Sequence, residues 1–299
     1  MAEDSPTVAR RRVRLALREA REQAELTQLQ VADEMEWSLS KVIRIENGDV
    51  SISPNDLRPL LGYLGIKDRA QIAALVADAK LARIRQRRTW WQEPAFRDLS
   101  EPLRRLIEFE AVAFAIRNYS TIYIPGPLQI PKYSIALTGS VEEMSPDQVE
   151  SVIEARRQRR DSVLSRLGSS LKFYTLLDES VFMRPIGGHA DFAEQLRDMH
   201  SLAERGLINV RMLPFEIHVS IPNNATYDLV SLAEEPGDEV LYRENGITDE
   251  LIEDKSSIAR HLNRFNQLWL SATDETNTIR FVEKRIKELE NTIARSQGE

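Results

Sequence analysis

LTQLQVADEMEWSLSKVIRIENG, Leu26–Gly48, holds two short amphipathic runs with a break between them, each introduced by a hydroxyl residue. Thr27 is an N-cap, since its hydroxyl can accept from a free backbone N–H one turn further on. Leu29, Val31, Ala32 and Met35 supply the apolar face of the helix that follows. Ala32 is small enough for a second helix to cross it closely. Glu36-Trp37 is the break. Ser38 caps a second helix whose apolar positions are Val42, Ile43 and Ile45. Asn47-Gly48 is a left-handed stop. Leu39, Ser40, Lys41 and Arg44 are left facing outward on the second helix. Gln28, first in the leading helix, sits where an amide side chain and free backbone N–H groups can meet a phosphate. Two short capped helices in this order read as a helix-turn-helix or as part of another small helical bundle.

Outward from this stretch the pattern stays helical. Val13, Leu17 and Ala20 form one side of a preceding helix that carries Arg10, Arg11, Arg12, Arg14, Arg18 and Arg21 elsewhere. Arg10 to Arg14 read either as an arm reaching phosphate or the minor groove, or as a solvated charge run. Pro54 to Leu64 predicts a fourth helix despite Pro59, and Gln71 to Arg85 a fifth.

The 299 residues suggest a small domain joined to a larger one. With 42% apolar and 29% charged residues the chain can build ordinary packed cores. The absence of cysteine excludes disulfides, thiolate metal sites and cysteine nucleophiles, and fits a reducing cytoplasm. No apolar run approaches the roughly 18 residues of a membrane helix, and the opening MAEDSPTVARRRVR has no apolar signal core. These features predict a cytoplasmic protein with no membrane partner. The net charge of −7 is uneven: residues 1–88 carry 16 Lys/Arg against 13 Asp/Glu, a net of +3, which leaves −10 for the rest. A mildly basic head on an acidic body suits a DNA reader fused to something that does not touch DNA.

Leu26–Gly48 resembles the XRE/Cro-repressor helix-turn-helix. Leu26, Thr27, Gln28, Ala32, Val42, Ile45, Glu46, Asn47 and Gly48 stand where that pattern wants them. Trp37 departs from it, because family members usually carry Gly or a small residue at the turn; Trp37 is expected to pack on the bundle. The resemblance implies a five-helix, lambda-repressor-like head whose second motif helix lies in the major groove. Leu39, Ser40 and Arg44 then reach base edges, with Lys41 near backbone or base. Arg44 can be bidentate to guanine, worth about 1–3 kcal/mol of discrimination. Leu39 offers apolar contact to a thymine methyl. Gln28 and Asn47 are phosphate anchors, with Arg10 and Arg14 as arm candidates.

LARIRQRRTWWQEPAF, Leu81–Phe96, mixes basic and aromatic residues, for stacking on nucleic acid or for sealing Trp90 and Trp91 onto the second domain. Leu103 to Tyr119 predicts a long helix along Leu106, Phe109, Ala113 and Ile116. Pro125-Gly126-Pro127 forces a corner. Gln148 to Leu167 predicts an Arg-dense helix, either a second DNA surface or a salt-bridged face. Lys172 to Phe182 begins as a strand and ends at an acidic turn. A helix at Phe192 to Glu204 and strands at Asn209 to Leu213, Tyr227 to Leu232 and Val240 to Tyr242 follow. That order predicts an α/β domain with a small, partly parallel sheet.

YIPGPLQIPKY, EARRQRRDSVL, GGHADFAEQLRDMHSLAERGLINVRMLPF and VLYREN resemble the C-terminal domain of actinobacterial WhiJ-type regulators. That family shows Pro-Gly-Leu-Leu-Gln-Thr where this chain has Pro-Gly-Pro-Leu-Gln-Ile, so Pro127 and Ile130 depart. Many members sit beside a small partner protein in an antitoxin-like or morphogenetic-switch arrangement, and the resemblance implies such a relation here.

Nothing points to catalysis. His189, His200, His218 and His261 lack zinc spacing, and no nucleophile elbow or P-loop is present. Gly187-Gly188-His189 reads as a turn or as a ligand approach. Asp178-Glu179 are adjacent and would point to opposite faces of a strand. Neither an enzyme nor a cofactor is expected. Ile279, Val282, Ile286, Leu289 and Ile293 are spaced 3, 4, 3, 4, a seam for a homodimer or for packing on their own domain.

The expected protein is α+β and multi-domain: an all-α DNA-binding head over 1–82, a linker over 83–98, and an α/β body over 99–299 ending in a dimerising helix at about 275–296. The expected function is a sequence-specific, homodimeric regulator of double-stranded DNA, acting as a repressor, whose body senses a partner protein or a small effector. The competing expectation is an antitoxin-like protein that sequesters a small neighbouring-gene product and autoregulates.

Overall fold

A computed structural model describes residues 5–84, 89–138, 145–219, 226–244 and 248–297. Residues 1–4 of the N-terminal stretch, Arg85 of the expected fifth helix, 85–88 of the expected linker and Asn245 of VLYREN lie outside them. The chain forms two units, 1–87 and 88–299.

Unit 1 is five helices: α1 Pro6–Gln23, α2 Gln28–Glu34, α3 Leu39–Asn47, α4 Pro54–Tyr63 and α5 Arg69–Leu81. Each begins at a side-chain cap, in order Ser5, Thr27, Ser38, Ser53 and Asp68. Thr27 and Gln30 form a reciprocal capping box. Gly48 ends α3 with φ of 86°. The core joins Val13 and Leu17 of α1, Val31 and Ala32 of α2, Val42 and Ile45 of α3, Leu57, Leu60 and Leu61 of α4, and Leu75, Val76 and Ala79 of α5. Ala32 is 1% exposed, as its close-crossing role requires. Trp37 packs on this core as expected. The left-handed turn residue is its neighbour: Glu36 has φ of 54°, the conformation that glycine adopts at no steric cost.

Unit 2 opens with two 3-10 turns, Trp90–Gln92 and Pro94–Phe96, in which Trp90 meets Trp91 and Phe96 edge-on. These aromatics belong to the body's own fold. Next come α6 Glu101–Glu110, β1 Ala115–Ser120, α7 Pro131–Thr138, α8 Pro146–Leu164, β2 Lys172–Asp178, α9 Glu179–Met183, α10 His189–Glu204, β3 Asn209–Leu213, β4 Tyr227–Ser231, β5 Glu239–Glu244, β6 Asp249–Ile252, α11 Lys255–Ser271 and α12 Glu275–Gln297. The six strands form one mixed sheet in the order β3-β2-β1-β4-β5-β6. β1, β2 and β3 are parallel, and β4, β5 and β6 are antiparallel neighbours in turn.

The expected helix over Leu103 to Tyr119 is a helix and a strand. Alanines 111, 113 and 115 extend the helical look, but Ile116 and Asn118 pair on both sides, with β2 and with β4, and Ser120 with β2. Cross-strand partners outweigh local preference. The 3-4 spacing of α12 is likewise used within the chain. Val282, Ile286 and Leu289 are buried on their own unit, where α12 lies along α10 and β3. These three therefore do not form the dimer seam expected of them, and only Ile279 and Ile293 at its ends are half-buried.

The two faces of the sheet differ. Tyr119, Leu176, Leu213, Tyr227, Leu229 and Leu241 join Ile258, Phe265 and Leu268 of α11 in an apolar layer. On the other face, register places Thr175, Asn118, Asp228 and Tyr242 in one transverse row. The Thr175 hydroxyl donates to Asn118 Oδ1 at 3.2 Å, and Asn118 Nδ2 donates to Asp228 at 2.7 Å. Arg159 of α8 pairs with Glu110 through two bonds of 2.6 Å, both side chains nearly fully buried. A Cβ on Gly126 would stand 2.8 Å from Arg159 Nη1, so the Pro-Gly-Pro corner needs glycine to let the guanidinium pass.

Candidate nucleic-acid interface

The 3.6-residue period of α3 divides it by exposure. Val42, Ile45 and Glu46 are buried, while Leu39, Ser40, Arg44 and Asn47 lie exposed within one arc. Leu39 keeps 39% of its surface, high for a leucine with an apolar core below it. Arg44 makes no side-chain hydrogen bond or ion pair among the described residues, so its five donors remain for another molecule. Lys41 is differently placed. Its ammonium sits 3.7 Å above the Trp37 ring and 3.4 Å from Asp56, so α4 and the turn hold it.

Behind α3 lies a polar joint around Glu46, a residue that the sequence marks only as one that fits the helix-turn-helix pattern. Glu46, 7% exposed, accepts from Arg21 Nε at 2.6 Å and Nη2 at 3.0 Å, and from Gln28 Nε2 at 2.8 Å. Arg21 also donates to the Leu26 carbonyl at 2.9 Å. The bond to Glu46 raises the Arg21 pKa against the opposing effect of burial. α1, α2 and α3 are thereby locked at one point. The visible signal was an acid one turn beyond Val42, on the buried side of the helix.

Gln28, Asn47, Arg18, Arg21 and Glu46 line one open polar concavity. The structure thus brings Gln28 and Asn47 to one concavity and adds Arg18 to them. It does not bring Arg10 and Arg14 there. Residues 10–14 lie inside α1, so they form no arm. Arg10 donates to the Ser51 hydroxyl at 3.2 Å, and Arg14 is 6% exposed with its side chain against Gly48.

In unit 2 the arginines of α8, and Arg166 in the turn just after it, are committed inward or to neighbours. Arg156 donates to Gln129, Arg157 to Glu154 and Asp161, Arg160 to Asp198, and Arg166 to the carbonyls of Glu110 and Ala113. The salt-bridged reading of that helix describes it, and a second DNA surface does not. Gly187 and Gly188 both take positive φ and lead into α10 without a side-chain cap from His189. Asp178 caps α9, and Glu179 accepts from the Phe215 N–H at 2.8 Å, so this carboxylate pair shares no site.

Residues 13–75 match a helix-turn-helix domain family, and residues 103–284 match a domain of unknown function, DUF5753. The chain belongs to the DUF5753 family. No curated protein and no solved structure matches it. This DUF5753 chain carries its helix-turn-helix on unit 1 and is a DNA-binding regulator. No helix among the described residues is long and apolar enough to cross a membrane.

Proposed function

We propose that this DUF5753 protein is a sequence-specific cytoplasmic repressor that works by binding, without catalysis, and that two copies occupy one operator. Leu39, Ser40 and Arg44 read bases in the major groove, and Gln28, Asn47 and Arg18 hold backbone phosphates. Unit 2 receives a signal that alters DNA affinity, by favouring one of two states of the chain. The resemblance of YIPGPLQIPKY and the stretches after it supports a place among WhiJ-like regulators.

The observation that carries the reading is the unpartnered, exposed Arg44 on the α3 arc that also exposes Leu39 and Ser40. The experiment is binding to the DNA upstream of its own gene at several salt concentrations, against scrambled DNA of equal length. Selective binding that weakens steeply with salt is expected, the slope reporting phosphate contacts. Equal binding to both DNAs would overturn the base-reading assignment.

A further inference from the structure

Three side chains at one edge of α3 hold each other: Trp37, Lys41 and Asp56. Lys41 is the third residue of α3 and Asp56 the third of α4. Each backbone N–H is fixed by the serine that caps its helix. Lys41 N–H donates to Ser38 Oγ at 3.2 Å, and Asp56 N–H to Ser53 Oγ at 3.0 Å. Trp37 is anchored as well: its N–H donates to the Ala32 carbonyl at 2.8 Å and its side chain packs on the core of unit 1. These partners meet at the flexible end of the lysine. Its ammonium lies 3.7 Å from the centre of the Trp37 ring and 3.4 Å from Asp56 Oδ2.

The place of Lys41 on the helix puts the trio beside the base-reading arc. At about 100° per residue, Lys41 stands about 60° round α3 from Arg44 and about 100° from Ser40. Residues three apart on a helix are surface neighbours, so DNA that meets Arg44 also passes Lys41. Arg44 offers its charge with no side-chain partner among the described residues, whereas the ion pair beside it is neutral as a unit.

The side chains of the pair are 39% and 41% exposed. An exposed ion pair is weak, and the face of an aromatic ring adds a modest second hold. A phosphate can therefore contest Lys41, but it must displace both ring and carboxylate. Success would leave Asp56 as an unpaired negative charge beside a polyanion. With Asp56 3.4 Å from the ammonium, any phosphate that Lys41 touches lies within one Debye length of that carboxylate, about 10 Å at 0.1 M salt.

We propose that Asp56, helped by Trp37, is an intramolecular competitor for the DNA backbone. It withholds Lys41 from phosphate and so holds down the sequence-independent part of the affinity, leaving selection to Leu39, Ser40 and Arg44. The proposal rests on the reading of α3 as the groove helix. Phosphate contacts carry no sequence information, so this brake acts on any DNA. It acts at least as strongly on DNA without the operator, where no base contacts fix the register against the backbone.

The test uses the full chain, the DNA upstream of its own gene and scrambled DNA of equal length, between about 50 and 200 mM salt. Asp56→Asn keeps the shape of a half-exposed side chain and so keeps the fold. It should tighten binding to both DNAs by about threefold or more at the lowest salt. It should also steepen the salt slope by about 0.9, which is one phosphate's worth. Lys41→Met should leave the slope as in wild type, since that lysine takes no phosphate there. Adding Asp56→Asn to Lys41→Met should again leave the slope unchanged, because no ammonium is released. Unchanged binding by Asp56→Asn would overturn the proposal, and so would weaker binding, which would mean that the carboxylate presents Lys41 to DNA. An equal steepening with and without Lys41 would overturn it too, since Asp56 would then act only by its own repulsion. A wild type that selects its own DNA while Asp56→Asn changes nothing sinks the brake alone. Failure of wild type and every variant to bind either DNA sinks the groove-helix reading and the brake with it.

Discussion

Glu46 of unit 1 and Glu110 of unit 2 are both carboxylates buried on an arginine, 7% and 2% exposed, yet they sit in different surroundings. Glu46 joins three consecutive helices, its arginine 25 residues away, and borders an open concavity. Glu110 meets an arginine 49 residues away on α8, and a second acid, Asp228, shares that arginine's field. Burial pushes the Asp228 carboxyl up to about 7; Arg159 pulls it back and Glu110 adds to the rise. The comparison teaches that a buried ion pair near the surface can set the geometry of an interface, whereas one under a sheet with an acid to spare makes its unit sensitive to protons.

Five experiments break or sharpen that contrast. The largest effect is expected from Arg159→Met, which leaves Glu110 and Asp228 buried without their cation. A loss of about 3–5 kcal/mol in unit 2 stability should appear in urea unfolding, while Arg21→Met in the less enclosed pair should cost less. If the two variants cost the same, the distinction between the pairs fails.

Asp228→Asn comes next. Because the folded pKa lies above the unfolded one, the folded state holds the proton more tightly. The stability Asp228 contributes is full below about pH 4 and is lost as pH rises through about 7. The variant should therefore flatten the melting curve between pH 5 and 8 and stabilise the protein at pH 8, on the order of a few kcal/mol. Carboxyls held low by hydrogen bonds, such as Asp254 and Asp274, act only in stronger acid. A pH 8 melt no higher than wild type would remove Asp228 from the balance.

Arg44→Ala should relax preference at one base pair by about 1–3 kcal/mol in competition binding, with little change on non-specific DNA. Gln28→Ala should weaken all sites about equally. The smallest effect belongs to Glu36→Gly. Relief of the left-handed backbone should gain a few tenths to about 1 kcal/mol in unit 1 without touching unit 2. A loss instead would mean that the Glu36 side chain stabilises the turn by more than its backbone strain costs.

How much of this was legible divides along the same line. Thr27, Ser38 and Gly48 act on atoms within four residues of themselves, so the helices of unit 1 could be read directly. Glu46 sat in plain view as an acid on an apolar helix side, but its partners Arg21 and Gln28 are visible only once three helices close. The stretch ending in β1 looks helical because Ala111, Ala113 and Ala115 suit a helix, and the strand's pairing partners lie more than 50 residues on. The α12 seam was legible as an apolar stripe; what covers it was not, since α10 and a second chain would demand the same spacing.

The sequence by itself determined the capped helix-turn-helix, the outward placing of Leu39, Ser40 and Arg44, the α/β character of the body and the lack of any thiol or membrane-length apolar run. Those follow from periodicity, caps and composition, which act locally. The tertiary structure alone decided that Arg14 is buried, that Lys41 is held by Asp56 and Trp37, and that α12 closes on its own unit. Each of these depends on which distant segment arrives next to which, and that is settled by burial and cross-strand pairing summed over the whole fold.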